Sequence, residues 1–222
     1  MEQLLKLFSV NTTFFNFLDY PMSYIEFIGT IFYLASVILI AQKKMLTWPV
    51  GIISVILYGI LFYQIQLYSD TIEQLYYLGA SIYGWIYWNK HKKAKDDSIP
   101  FHISNKKHIS TWLLITGVGT IFMTIFMMKI HLLLPSIFSK PASFPFIDAL
   151  TTVMSFVAMF LMAQKRVESW IYWIIVDVIG IVLYFIKDVK FISLLYVILL
   201  IIAIRGFFSW KSSLKDYGKT DI

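Results

Sequence analysis

Ala163-Gln164-Lys165-Arg166-Val167-Glu168-Ser169-Trp170 restates a stretch met 122 residues earlier, Ala41-Gln42-Lys43-Lys44-Met45-Leu46-Thr47-Trp48. The same displacement lays Glu26 on Asp148, Gly84 on Gly206 and Trp88 on Trp210, without a gap. Self-similarity at one fixed period is the mark of a duplicated architecture. Each copy of the octet is a short basic turn between two apolar runs, so the duplicated unit is a set of membrane-length helices.

Working outward, seven apolar runs approach the roughly 20 residues that a spanning helix needs. They lie near 24–42, 48–66, 71–88, 111–131, 147–163, 170–186 and 191–210. The predicted fold is an all-α polytopic membrane protein with seven transmembrane helices in a 3+1+3 arrangement. Three spans per unit plus one connector make the second unit enter the membrane in the same direction as the first. The repeats are then parallel, as in the SWEETs, with the substrate near the midplane between them. The expected divisions are an N-terminal extracytoplasmic or interfacial segment 1–22, a first three-helix repeat 23–89 and a basic loop 90–110. A linker helix 111–134, an outer loop 135–145, a second three-helix repeat 146–211 and a tail 212–222 follow.

Composition agrees. Of the 222 residues, 59% are hydrophobic and 14% charged, against about 25% charged in soluble domains; mean hydropathy is +0.72. With no cysteine there is no disulfide framework and no thiolate metal site. His91, His102, His108 and His131 show no metal-ligand spacing, so no metal or cofactor is expected. No phosphate-binding loop or catalytic signature is present, which argues against an enzyme. Residues 1–22 lack the layout of a cleavable signal peptide and read as an interfacial segment. The net charge of +6 comes from lysines in short loops, an orientation signal and not a nucleic-acid surface. Lys43, Lys44, the six lysines of 89–110, Lys165, Arg166 and the tail's Lys211, Lys215 and Lys219 fall on one side. Lys6, Lys129, Lys140, Lys187 and Lys190 fall on the other. The richer side is expected to be cytoplasmic, with the N-terminus outside and the C-terminus inside.

The candidate site lies where the halves differ. Trp170-Ile-Tyr-Trp173-Ile-Ile-Val-Asp177 sets two indoles and a carboxylate on one helical face. Their counterparts in the first half are Trp48, Gly51 and Val55. A carboxylate at membrane depth needs a partner or a cavity, and indoles beside an anion suit a flat organic cation. Gln64 and Gln74 could bond a polar end of the ligand, or act as glue between helices. Asp148 could stand at the pocket mouth, after Phe144-Pro145-Phe146. Tyr83 and Trp48 complete the expected substrate-binding set. Asp70 reads as a helix cap, and Gly84 and Gly206 as points of close helix approach. Trp88 and Trp210 read as interface anchors.

These residues resemble the PnuC-type vitamin transporters of bacteria, from roughly Ile25 to Trp210. The likeness is carried by Trp48-Pro-Val-Gly-Ile-Ile-Ser54, Phe62-Tyr-Gln-Ile-Gln-Leu-Tyr68, Ile82-Tyr-Gly-Trp85, Phe144-Pro-Phe-Ile-Asp148 and Trp170 through Asp177. The family's W-x-x-W-x-x-x-N/D motif falls on Trp170, Trp173 and Asp177; many members carry Asn at the last position. The resemblance implies a 3+1+3 carrier in the bacterial inner membrane that moves nicotinamide riboside by facilitated diffusion, with a cytoplasmic kinase trapping the product. Trp170 and Trp173 would hold the pyridinium, and Asp177 with Gln64 or Gln74 the polar groups. Thiamine, carried by related members, is also a permanently cationic ring and is the alternative substrate. A membrane enzyme or an assembly subunit is the reading from another class. Proton coupling through Asp177 and a homotrimer are further possibilities.

Overall fold

The computed structural model describes residues 7–17, 20–65, 68–90, 101–135, 144–186 and 190–217. Of the orientation lysines, Lys6, Lys92, Lys93, Lys95, Lys140, Lys187 and Lys219 lie outside these residues.

Two short antiparallel strands, β1 (Thr13–Phe17) and β2 (Tyr20–Ser23), come first, with Phe17 opposite Tyr20. This hairpin falls almost wholly within the segment 1–22 expected to be interfacial, and the long elements that follow are helical, as expected. Its aromatic side chains dock on the next element: Phe14 lies 4.6 Å from Tyr24 and 5.2 Å from Phe27, ring centre to ring centre. Seven helices follow: α1 (Tyr24–Ala41), α2 (Thr47–Gln64), α3 (Tyr68–Lys90), α4 (Lys106–Leu133), α5 (Pro145–Ala163), α6 (Ser169–Ile186) and α7 (Lys190–Tyr217). Local chemistry sets several starts. The Ser23 hydroxyl accepts from Glu26 N at 3.4 Å, and the Asn105 side chain accepts from His108 N at 2.9 Å, so each satisfies an orphan first-turn amide. Pro145 opens α5, where a missing N–H costs nothing. The cap at Asn105 also starts α4 inside the stretch expected to be loop.

Six of these helices are long and apolar enough to cross a membrane. The exception is α3. It has the length, but Asp70, Glu73, Gln74 and a series of tyrosines lower its apolarity. Packing shows where that polar face goes. α1 packs on α2, α2 on α3, α3 on α5, α5 on α6, α6 on α7, and α7 returns to α1. Six helices thus close into a ring, while α4 packs on α5 from outside. A helix with one face on the inside of such a ring can carry polar groups that lipid would not tolerate.

The two octets fold alike, bond for bond. Gln42, Lys43, Lys44, Thr47 and Trp48 donate their amides to the carbonyls of Ile38, Ile40, Leu39, Lys44 and Met45. Gln164, Lys165, Arg166, Ser169 and Trp170 donate to Phe160, Met162, Leu161, Arg166 and Val167. Every donor and every acceptor is displaced by the same 122 residues. Lys43 and Lys165 both sit in the left-handed region, at φ 63° and 62°, a conformation uncommon for a residue with a Cβ. Neither is glycine, so the strain is held in place by the bonds around it.

These turns close one end of the ring with tryptophan. Trp48 meets Trp88 edge-to-face at 5.3 Å, and Trp170 meets Trp210 edge-to-face at 5.4 Å. Trp88 and Trp210 then join the two pairs at 6.0 Å. Each pair is seated over a glycine: a Cβ added at Gly84 would fall 2.3 Å from Trp48, and one at Gly206 2.5 Å from Trp170. The outer indoles bond across the ring, Trp88 Nε1 to the Ala163 carbonyl (3.1 Å) and Trp210 Nε1 to the Ile40 carbonyl (2.9 Å). Trp88 and Trp210 are wholly buried, which corrects their reading as interface anchors. Phe101, from the segment before α4, lies 4.5 Å from Trp210 and 6.2 Å from Trp88. It is clipped there by His102, which exchanges backbone bonds with Lys165 and Val167, and by Ser104 N donating to Glu168.

Candidate functional site

Asp177 lies seven residues beyond Trp170, roughly 10 Å along a helix that rises about 1.5 Å per residue. Its side chain is 3% exposed, and its carboxylate has no hydrogen bond or ion pair to any described residue. Buried charge without a partner costs several kcal/mol, on the order of what an absent counter-charge would return. Ile171, Ile175, Val178 and Val182 are exposed on the outward face of α6, so Asp177 points into the ring and away from lipid. Around it the walls are phenolic. Tyr33 of α1 and Tyr196 of α7 both lie close enough to interact with its charge. Tyr196 stacks on Tyr184 at 5.4 Å, and Tyr33 meets Tyr58 edge-on at 6.4 Å. Tyr196 also packs over Gly180, where a Cβ would come within 2.5 Å of the ring.

A second carboxylate enters from the opposite half. Glu73 of α3 is half-buried, and its Oε1 accepts from Thr152 Oγ1 of α5 at 3.0 Å. One turn on, Tyr77 faces Ser155 of α5 and lies close enough to interact with the charge of Glu73. Tyr196 lies within charge range of both Glu73 and Asp177. Toward the same end, Asp70 and Asp148 interact with one another, and Tyr184 with Asp70, Asp148 and Glu73. The interior is therefore acidic and aromatic, with hydroxyls on its walls.

The expected site residues do not all gather there. Asp177 lies at the centre. Trp173 is half-buried at the boundary, packed against both the floor and the α5–α6 core, with an indole N–H that meets no described acceptor. Asp148 lies in the first turn of α5, within charge range of Asp70. Trp170 and Trp48 are in the floor, 1% and 2% exposed, Trp170 about two turns from Asp177 along α6. Gln64 is occupied elsewhere: its Oε1 accepts from Val10 N at 3.0 Å and its Nε2 donates to the Phe8 carbonyl at 2.6 Å. It ties the N-terminal segment to the end of α2. Gln74 packs beside Gly59, where an added Cβ would lie 3.6 Å from its own, in a crevice between α2 and α3 lined by Ile56, Ile60 and Leu75. Tyr83 stacks on Phe160 at 5.9 Å. Residues not expected, Tyr33, Tyr77, Tyr196, Thr152 and Ser155, supply the wall instead. Tyr196 was readable, since the 122-residue displacement lays it on Gln74.

Electrostatics at the floor is of another kind. Lys43 Nζ donates to the Ser209 carbonyl (3.0 Å) and the Ser213 hydroxyl (2.6 Å) near the end of α7, where a cation answers the helix dipole. Its counterpart Lys165 is 1% exposed and meets no described acceptor, and lies over the rings of Tyr87 (5.9 Å) and Trp88 (5.6 Å). Burial lowers its ammonium to about 8.

A ring of apolar helices, closed at one end and holding an unpaired carboxylate among phenols, is the build of a membrane transporter for a small molecule. Comparison with known proteins agrees: residues 23–212 match the model of a family described as nicotinamide mononucleotide transporters. The chain belongs to that family. It is 32% identical over 216 residues to the nicotinamide riboside transporter PnuC of Escherichia coli K12, covering 90% of each chain. It is 27% identical over 203 residues to the riboflavin/roseoflavin transporter RibM of Streptomyces davaonensis, covering 90% of this chain and 91% of that one. Among solved structures it is similar to the vitamin B3 transporter PnuC, with a TM-score of 0.69 and 22% identity over 87% of this chain and 83% of that one.

Proposed function

We propose that this chain carries nicotinamide riboside across the bacterial inner membrane by facilitated diffusion. The observation that carries the reading is Asp177, a buried carboxylate at the centre of the ring with no counter-charge among the described residues. A permanent pyridinium supplies the missing charge, and Trp173 offers it a π-face. Asp70 and Asp148 near the mouth favour entry of a cation. They disfavour the phosphorylated nucleotide, whose phosphate would meet carboxylates on the way in. A neutral vitamin would leave that charge without a counter-charge.

The 3+1+3 reading assigns α1–α3 and α5–α7 to two parallel repeats and α4 to the connector, within residues 23–89, 146–211 and 111–134. Its support is the constant displacement of both turns and of the tryptophan pairs. All seven helices span, α3 keeping its polar face inside the ring. By the positive-inside rule the floor faces the cytoplasm, so the ring as described is shut on that side and release requires the two tryptophan pairs to part. Phosphorylation by a cytoplasmic kinase then keeps the product in. Thiamine is the second reading, because Asp177 selects on cationic charge and thiamine carries it. Proteoliposomes without ATP or ion gradient test the proposal. Labelled nicotinamide riboside should equilibrate and resist competition by thiamine. Uptake of thiamine with none of the riboside transfers the assignment, and uptake of neither sinks it.

A further inference from the structure

We propose that Glu73 is a second substrate contact, receiving the paired hydroxyls at the end of the ligand remote from its cationic ring. The inference rests on the riboside reading above. Three observations converge on it.

First, Glu73 and Asp177 stand on opposite halves of the ring, and Tyr196 interacts with both. A ligand held by Asp177 therefore extends toward Glu73 along an aromatic wall. Second, only one carboxylate oxygen of Glu73 is used. Oε1 accepts from Thr152 Oγ1, and Oε2 meets no described donor, yet it is not among the sealed, unpartnered atoms of the interior. It keeps accessible surface and an unused lone pair. Third, the bond from Thr152 holds Oε1 on the α5 side, so Oε2 is the oxygen left for a ligand.

The chemistry favours hydroxyls. A carboxylate only accepts, and a bond from O–H to O⁻ is short and stronger than a neutral one. Vicinal hydroxyls offer two such donors at the spacing of one carboxylate. The competing role is purely structural: Glu73 as glue between α3 and α5 through Thr152. Two variants separate these. Glu73→Gln keeps an acceptor for Thr152 and removes the charge. Thr152→Val removes the inter-helix bond and keeps the carboxylate.

The test compares uptake of nicotinamide riboside with that of its 2′-deoxy analogue in proteoliposomes. The native chain should favour the riboside by about tenfold in KM, the discrimination expected where one charge-assisted hydrogen bond is lost. In Glu73→Gln the preference should fall to about threefold or less, while Thr152→Val keeps about tenfold. Should Glu73→Gln not be recovered folded, Glu73→Asp, one methylene shorter, should show the same loss of preference. A native chain that moves the riboside without preferring it to the deoxy analogue overturns the inference and leaves the function standing. So does a Glu73→Gln chain that keeps tenfold discrimination, or a Thr152→Val chain that loses it. A native chain that moves neither compound removes the function itself, and this contact with it.

Discussion

Placing one methyl at Gly206 should break the floor, and the structure says by how much. The new Cβ would lie 2.5, 2.6 and 2.8 Å from the Cζ2, Cη2 and Cε2 atoms of Trp170. Carbon atoms rest at about 3.5–4.0 Å, so the indole must retreat by about 1 Å. It has nowhere to go. Trp170 is 1% exposed and edge-on to Trp210, itself fully buried and bonded to the Ile40 carbonyl on the opposite half. Overpacking of this kind costs about 1–3 kcal/mol, and the gain from replacing a helical glycine by alanine returns up to about 1 kcal/mol. The net loss is about 1–2 kcal/mol, which for a chain of this size lowers Tm by about 2–8 °C. Thermal unfolding of the purified protein in detergent reads it directly. Gly84→Ala should behave alike, since its Cβ would fall 2.3 Å from Trp48. Gly79→Ala is the control: nothing lies within 4 Å, and Tm should hold or rise. Gly206→Ala as stable as Gly79→Ala would show that the tryptophans are not packed as described.

Other expectations follow from single contacts. Lys165 has a folded value near 8, below its ordinary 10.5. The unfolded chain therefore holds the extra proton between those limits, and stability at this site rises with pH from about 8 to 10.5. Tm of the native chain relative to Lys165→Met should thus be lower at pH 7.5 than at pH 10; an unchanged gap would contradict the burial. Phe101→Ala removes a ring 6% exposed and should cost about 3 kcal/mol or more in the same melt. Gln64→Leu frees the N-terminal segment; it should cost about 1 kcal/mol and leave the KM for riboside within about twofold, and a large KM change would return Gln64 to the ligand.

The sequence spelled out what is periodic or local. The displacement of 122 residues located both basic turns, and apolar runs located the helix ends to within three residues except at the start of α4 and the end of α7, because those signals are carried by neighbours in the chain. It also set Trp170, Trp173 and Asp177 on one face. Depth along that face is another matter. Whether an indole lines a cavity or packs on a glycine depends on a helix distant in the chain, so Trp170 and Trp48 read alike from sequence and lie in the floor. Gln64 was legible as a polar group needing partners, but the partners are backbone atoms of residues 8 and 10, which no side-chain pattern announces. The hairpin escaped notice because its five- and four-residue strands are too short to show a period. Phe101 sits in a polar stretch and gains meaning only from the tryptophans it covers. Glu73 reads as a polar residue near a helix start until α3 is seen to pack on α5.

The most direct test of the account compares nicotinamide riboside with its 1,4-dihydro form, nearly the same shape without the charge. Asp177 attracts a cation a few ångström away by up to about 4 kcal/mol at an effective dielectric near 20, part of which desolvation offsets. The native chain should therefore bind the cation at least about 30-fold more tightly, and Asp177→Asn, measured the same way, should bind the two forms about equally. Equal binding by the native chain, or undiminished preference in Asp177→Asn, would contradict a buried carboxylate as the feature that selects the substrate.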